Sequence, residues 1–261
     1  EGRRRGAVDI EDPPGLDERR HRSVLNEFAM LNTVRGHDNV CLLLHHCLQD
    51  GLAYFVFERY DRALYTVLDG MGRLNEETLR PIFTGMLMGL AAVHGRCVVH
   101  RDVKPDNFMC SGADDTVKLV DFGFASALSS PLAQECTGVC GTAPYMAPDM
   151  LGEEPYGCKA DVWSVGVIAH LLVCGCYPYA PRIVSSRAMK AAIKAGVPEP
   201  KIFREGPREL GDVSEDARQW ICGLLCRSHE GRPTASEALG GAFFASSSLS
   251  AACLRRRLCA A

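Results

Sequence analysis

The sequence lacks the features that would assign it to a membrane, a secreted or a calcium-binding class. Its longest apolar stretch, residues 162–177, is interrupted by Ser164 and His170, so no run reaches the length of a membrane-spanning helix. No signal peptide is visible. No EF-hand loop or calmodulin-binding type of helix occurs, so any calcium control would have to lie outside these residues.

Neither sign of charge dominates. The 261 residues include 29 basic and 32 acidic side chains, for a formal net charge of -3, which gives no reason to expect nucleic acid or a membrane as a partner. The basic runs at residues 3–5 and 255–257 lie near the two ends, and we interpret both as solvated. No lysine precedes Lys104.

The 13 cysteines are scattered and lack the CxxC pairs and His-rich companions that are typical of zinc sites. Those inside apolar runs are interpreted as small core residues in a reducing compartment, so we expect a cytoplasmic protein: Cys174, Cys176, Cys222 and Cys226. With 47% apolar and 23% charged residues, the composition is that of a soluble globular protein.

Strands are predicted mainly in the first part of the chain and helices in the second. Apolar periodicity predicts helices over residues 23–34, capped by Ser23, over 76–94, and through most of 161–244. Strands are predicted at residues 40–44, 52–57, 108–109 and 117–120, the last two as a hairpin. The sequence therefore predicts an α+β protein, organised in two lobes.

A polar cluster follows two valines in the stretch VVHRDVKPDNFMC, residues 98–110. It carries Asp102, Lys104 and Asn107, and a further carboxylate, Asp121, comes fourteen residues after Asn107 in the tripeptide DFG. Phosphoryl transfer needs oxygen ligands for magnesium, a cation on the moving phosphoryl group and a carboxylate that orients the attacking hydroxyl. A solvated loop is the plainer alternative, but four uncompensated polar groups near a cleft are costly without a ligand.

The strings HRDVKPDN, DFG, GTAPYMAPD, DVWSVGV and RPT occur in the order found in eukaryotic protein kinases. Over roughly residues 7–244 the chain resembles serine/threonine protein kinases, most of all the calcium/calmodulin-dependent and calcium-dependent group. The resemblance implies a two-lobed, α+β protein-kinase-like fold. It divides the chain into a partial small lobe at residues 1–59, a helical large lobe at 60–244 and a tail at 245–261.

The resemblance also implies roles for individual residues. Asp102 would accept or orient the substrate hydroxyl and Lys104 would neutralise the γ-phosphate of ATP. Asn107 and Asp121 would bind Mg²⁺. Glu27 would pair with the lysine that contacts the nucleotide. The implied partner is a protein substrate with a serine or threonine acceptor, with room for a regulatory partner.

Further positions follow from the same resemblance. Glu58 and Tyr60 would offer backbone groups to the adenine, and Met109 would pack beneath it. Asp161 would brace the loop that carries Asp102. Arg232 would pair with Asp149, which stands where most kinases have the longer Glu, so the pair would have to reach further.

The beginning of the chain departs from the kinase pattern. Only six residues precede Ala7, so the glycine-rich phosphate loop is absent, and AVDI puts Asp9 at the position of the nucleotide-binding lysine. Because the chain begins with Glu1 rather than Met, we expect upstream residues to be missing. The alternatives are a truncated copy of an active kinase and a pseudokinase that serves as a scaffold or allosteric partner.

Regulation is expected in the loop from Asp121 to Asp149. Arg101 is of the kind that pairs with a phosphate on that loop. We expect Thr137 to accept the phosphate, and Glu135 could supply a fixed negative charge instead. The alternative is that Thr137 is a plain loop threonine.

Overall fold

The computed structural model describes residues 18–49, 52–71, 74–183, 185–204 and 213–245. Its first part is small and strand-rich. Helix α1 (Glu18–Val34) precedes strands β1 (Leu43–Gln49) and β2 (Leu52–Phe57), which pair antiparallel. The last turns of α1 bury Met30, Leu31 and Val34 in the core.

Two boundaries in this first part differ from the prediction. Helix α1 begins at Glu18, so Ser23 lies inside it and is not its cap. The strand predicted from residue 40 begins at Leu43, because Val40 forms a bridge with Leu119 and the Cys41 amide donates to the Leu119 carbonyl at 2.9 Å. This stretch therefore ties the small part of the protein to the large one.

The large part begins with a run of short strands and two helices: β3 (Arg62–Ala63), α2 (Leu64–Gly70), α3 (Glu76–Gly95), β4 (Val98–Val99), β5 (Phe108–Ser111), β6 (Thr116–Leu119) and β7 (Ser126–Ala127). Strands β3, β5 and β6 form one sheet, and β4 pairs with β7. The predicted hairpin is confirmed as β5 and β6, with Phe108 opposite Leu119.

Helix α3 lies at the centre of the large part and matches the helix predicted over residues 76–94. Its first turn is closed by a capping box, in which Asn75 Oδ1 accepts from the Thr78 amide at 3.0 Å and Thr78 Oγ1 accepts from the Asn75 amide at 3.1 Å. A Cβ at Gly89 would lie 2.6 Å from the Asn39 carbonyl oxygen. Glycine at this position therefore lets α3 pack closely against the segment that carries Asn39.

The rest of the chain is mostly helical, as predicted: α4 (Lys159–Cys174), α5 (Ser186–Ala195), α6 (Lys201–Arg204), α7 (Glu215–Leu224), α8 (Ala235–Leu239) and α9 (Ala242–Ala245). Helix α4 is buried continuously from Ala160 to His170 and ends at Gly175, whose φ of 68° suits a C-terminal cap. Among the described helices, none is both long and apolar enough to cross a bilayer.

A buried ion pair anchors the end of the loop that precedes α4. Arg232 Nη1 lies 2.7 Å from Asp149 Oδ2, and the arginine side chain is fully buried. The predicted partner is present. The prediction that an Asp must reach further was wrong, because the backbone brings Asp149 directly against the guanidinium.

Candidate active site

The loop after β4 is held by a carboxylate in the first turn of α4. Asp161 Oδ2 accepts from the His100 amide and Asp161 Oδ1 from the Arg101 amide, each at 2.8 Å. Arg101 adopts a φ of 70°, a conformation that a residue with a side chain keeps only when its surroundings enforce it. The predicted bracing contact of Asp161 is present, and it fixes the backbone directly before Asp102.

Asp161 is kept ionised by its partners in spite of its burial. Burial would raise the pKa of Asp161. The hydrogen bond and charge of His94, whose Nε2 lies 2.8 Å from Oδ2, together with the charge and amide of His100, lower the pKa below its usual value. The brace therefore acts as a carboxylate at neutral pH.

His100 is a packing residue. Its side chain is fully buried and its ring meets the Phe122 ring edge-on at 5.0 Å. Its Nε2 lies 3.0 Å from the Val120 carbonyl oxygen. These contacts place the loop of Asp102 against the strand end that leads to Asp121.

Asp102, Lys104 and Asn107 form one network. Asp102 Oδ2 accepts from Lys104 Nζ at 2.8 Å and from Asn107 Nδ2 at 3.4 Å. Asn107 Nδ2 also donates to the Asp102 carbonyl at 2.9 Å. Asp102 is only 5% exposed, yet its Oδ1 has no hydrogen-bond partner. A buried carboxylate oxygen without a partner is unusual and is available to accept a proton or a hydrogen bond.

The network extends to the loop before α4. Lys104 Nζ donates to Thr142 Oγ1 at 3.0 Å. The preceding Gly141 has a φ of +88°, and a Cβ there would lie 2.4 Å from the Arg101 carbonyl oxygen and 3.2 Å from Asp102 Oδ1. Only glycine therefore allows this loop to lie against Asp102. Neither contact was foreseen from the sequence.

Asp121 leaves β6 next to Asn107. The Val120 amide donates to the Asn107 carbonyl at 3.0 Å, so Asp121 follows a residue that is bonded to the loop of Asp102. Asp121 has a φ of 64° and an exposed carboxylate, whose Oδ1 accepts from the Gly123 amide at 3.2 Å. The chain path thus brings Asn107 and Asp121 to the same end of the hairpin.

Glu27 of α1 faces Asp121 across Gly123. A Cβ at Gly123 would lie 3.2 Å from Asp121 Oδ1 and 3.8 Å from Glu27 Oε2. Burial raises the pKa of Glu27, and the negative charge of Asp121 raises it further. No cation among the described residues pairs with Glu27, and the position of Asp9 lies outside them. Two carboxylates therefore lie near each other beside Gly123, with no described cation paired to Glu27.

The connection between the two parts of the protein contains Glu58 and Tyr60. The Glu58 carboxylate accepts from the Leu42 amide at 3.1 Å and pairs with Lys118 Nζ at 3.0 Å. Met109 is half-buried on β5, opposite Lys118. Glu58 is thus anchored to β6 through its side chain. The sequence missed this pair, although Lys118 stands directly before the strand end that leads to Asp121.

The loop residues expected to regulate the site make contacts with other parts of the loop. Arg101 Nε donates to the Phe124 carbonyl at 2.6 Å. The Glu135 carboxylate accepts from the Ser129 amide at 2.8 Å and from the Ser129 hydroxyl, so Glu135 is bound to Ser129. Thr137 is exposed. Its modification stays a prediction.

Comparisons with known proteins give a consistent picture. Residues 10–244 match the family model described as the protein kinase domain. The chain is 33% identical over 220 residues to CDPK-related kinase 1 of Arabidopsis thaliana, covering 83% of this chain and 36% of that protein. It is 31% identical over 220 residues to calcium/calmodulin-dependent serine/threonine-protein kinase 1 of Oryza sativa subsp. japonica, covering 83% of this chain and 35% of that protein.

A third relative, the CDPK-related protein kinase of Daucus carota, is 30% identical over 220 residues, covering 83% of this chain and 35% of that protein. The chain therefore spans about a third of the length of these curated relatives.

Proposed function

The chain belongs to the protein kinase domain family, and from this membership we propose that it transfers the γ-phosphate of ATP to serine or threonine hydroxyls of protein substrates. We also propose a division of the chain into a small lobe at residues 1–59, a large lobe at 60–244 and a tail at 245–261.

One observation carries the proposal: the unpartnered, buried Oδ1 of Asp102. Lys104 and Asn107 bind the other carboxylate oxygen, so the side chain is held in one orientation. A substrate hydroxyl would hydrogen-bond to Oδ1 and be oriented by it for attack on the phosphoryl group.

The contact between Lys104 and Thr142 supports the serine/threonine class. Lys104 Nζ is shared between Asp102 and Thr142, so its positive charge stays beside the carboxylate. There it would neutralise charge on the moving γ-phosphate. The short link between the two residues also ties the loop that precedes α4 to the loop of Asp102.

The donor set fits Mg²⁺. Because Asn107 Nδ2 donates to the Asp102 carbonyl, the amide oxygen of Asn107 is left as a ligand. The Asp121 carboxylate would be the second protein ligand. The described residues contain no cluster of three or more His, Cys, Asp or Glu that could hold a metal on its own. Mg²⁺ typically takes one or two protein oxygens and completes its shell with phosphates and water. When bound it would supply charge neutralisation on the phosphates.

The adenine would lie at the connection between the two lobes. Glu58 would offer its carbonyl, because its amide already donates to the Leu42 carbonyl at 3.0 Å, and Tyr60 would offer its backbone groups. Met109 on the neighbouring strand would form the floor beneath the ring.

A second candidate function rests on Glu27 and Asp121. Their carboxylates meet without a described cation, and each lost charge-assisted contact to a phosphate would cost about 1.5–3 kcal/mol. This arrangement favours weak nucleotide binding and a role as a pseudokinase scaffold or allosteric partner.

Asp102→Asn separates these functions. We expect phosphate transfer to a generic basic protein to fall by at least roughly 100-fold, because the amide is a poor proton acceptor. The affinity for Mg-ATP, measured by calorimetry, should be unchanged. The control is Asp106→Asn, which removes a neighbouring exposed carboxylate and should retain activity.

Equal rates for the native chain and Asp102→Asn would contradict the catalytic role. A native chain that shows neither Mg-ATP binding nor phosphate transfer would support the scaffold.

A further inference from the structure

The exposed face of helix α5 carries a stripe of positive charge. The chain has no acidic residue between Asp161 and Glu199. The same stretch contains four cations: Arg182, Arg187, Lys190 and Lys194. Positions 187, 190 and 194 have the three- and four-residue spacing that places side chains along one side of a helix. Within the described part of the chain, none of the four side chains has a hydrogen-bond or ion-pair partner, so their charge is left for another molecule.

The opposite face of α5 fixes this helix to the large lobe. The apolar side chains of that face are buried: Met189, Ala192 and Ile193. At the start of the helix, the Ser185 hydroxyl oxygen accepts from the Ala188 amide at 3.1 Å. At its end, the Arg227 guanidinium donates to the carbonyls of Ile193 at 2.7 Å and Lys194 at 2.8 Å. The charged stripe therefore stands on a helix that is held at both ends.

Helix α5 is a neighbour of the candidate active site. It packs against the segments Ala143–Tyr145 and Pro148–Leu151. The first segment directly follows Thr142, whose hydroxyl oxygen accepts from Lys104. The acid of the second segment, Asp149, is already paired with a buried arginine, so it does not neutralise the stripe. A protein substrate bound at the active site would therefore have the charged face of α5 beside it.

The chemistry of this surface favours an acidic segment of a protein. Cations without an internal partner attract carboxylates, and such complementarity sets specificity and the rate of association. Aliphatic side chains stand at both ends of the helix, since Ile183 is 78% exposed and Val197 is 60% exposed. They would contact apolar side chains of a protein, whereas nucleic acids are bound mainly through their phosphates. The net charge of the whole chain, -3, also opposes binding to extended polyanions.

We propose that the exposed face of α5 docks an acidic segment of the protein substrate, separate from the residues around the phosphorylated serine or threonine. This inference rests on the proposed kinase function and adds to it a class of substrate. Because the stripe does not touch the reacting groups, docking should lower KM for such substrates and leave kcat unchanged.

The test compares two synthetic peptides that share one serine acceptor. One peptide continues into a glutamate-rich segment, and the other has glutamine at the same positions. Fluorescence anisotropy with the full chain should give a Kd for the glutamate-rich peptide that is roughly tenfold lower, because a few exposed ion pairs add up to about this factor. Radiolabelled phosphate transfer should show the same ratio in KM.

The double variant Arg187→Glu with Lys194→Glu should remove this preference. Both side chains are exposed, so the fold should be kept, which thermal denaturation would verify. A lysine-rich version of the peptide should bind this variant more tightly than it binds the native chain, because the charges are exchanged. The matched control is Arg20→Glu with Arg35→Glu, which changes the net charge equally at two exposed positions and should leave the preference intact.

Equal Kd values of the native chain for the glutamate-rich and glutamine-rich peptides would overturn the proposal. So would equal effects of the two double variants. Binding of phosphatidylserine vesicles or of a DNA duplex that is lost in the α5 variant, with no preference between the peptides, would assign the stripe to a membrane or to nucleic acid instead. Binding of the glutamate-rich peptide without any phosphate transfer would contradict the proposed kinase function and support the docking surface alone.

Discussion

Asp149→Asn probes the buried ion pair that anchors the loop before α4. In the native chain, Arg232 Nη1 lies 2.7 Å from Asp149 Oδ2 and Arg232 Nη2 lies 3.3 Å from Oδ1. The arginine side chain is 0% exposed. The substitution keeps the shape of the side chain and one acceptor oxygen, and removes the negative charge.

The magnitude follows from what remains around the guanidinium. Arg232 keeps hydrogen bonds to the carbonyls of Lys159 at 2.8 Å and Cys226 at 3.0 Å, and it lies 5.1 Å from the Trp163 ring centre. Removing one partner of a buried pair costs about 3–5 kcal/mol. Since acceptors remain, we expect the lower end, about 3 kcal/mol, which corresponds to a fall in Tm of about 6–12 °C for a domain of this size.

Thermal and urea denaturation of the native chain and the variants would measure this effect. Asp149→Glu keeps the charge and should lose less stability than Asp149→Asn. Some stability should still be lost, because the extra methylene strains a tight site. The control is Glu153→Gln, an exposed carboxylate nearby, expected within about 0.5 kcal/mol of the native chain. A native-like Tm for Asp149→Asn would refute the reasoning that the Asp149 carboxylate compensates the buried charge of Arg232.

Two further predictions concern the loop of Asp102. Gly141→Ala should lower phosphate transfer strongly, because its Cβ would meet the Arg101 carbonyl. The control is Gly138→Ala, since Gly138 has a similar φ of +80° but a Cβ there would have nothing within 4 Å. Equal losses in kcat/KM for the two variants would contradict this account. Asp161→Asn should lower the free energy of unfolding at pH 7. Since the pKa of Asp161 is lowered in the fold, the native chain should exceed the variant in free energy of unfolding by the full amount above the ordinary pKa of Asp, and this difference should shrink as the pH falls from about 5. Urea titrations of both chains at pH 7 and pH 4 would check it, and a difference that does not change with pH would contradict it.

The spacing of apolar residues predicted the helices and strands in which that spacing is regular within the element itself. The apolar spacing between residues 76 and 94 is enough to define helix α3, and the alternation around residues 108 and 119 defines a hairpin. The beginning of β1 was misplaced because Val40, an apolar residue in an apolar run, pairs with Leu119 instead of with β2. Nothing in the local sequence distinguishes these two partners.

The sequence by itself determined the kinase family, the α+β organisation and the order of Asp102, Lys104, Asn107 and Asp121, because these depend on motifs of adjacent residues. Only the tertiary structure decided how distant residues meet. Glu27 faces Asp121, Glu58 pairs with Lys118, and Gly141 lies against Arg101. Such contacts join residues between 40 and 94 positions apart, so they depend on how helices and loops pack and on which charges that packing brings together.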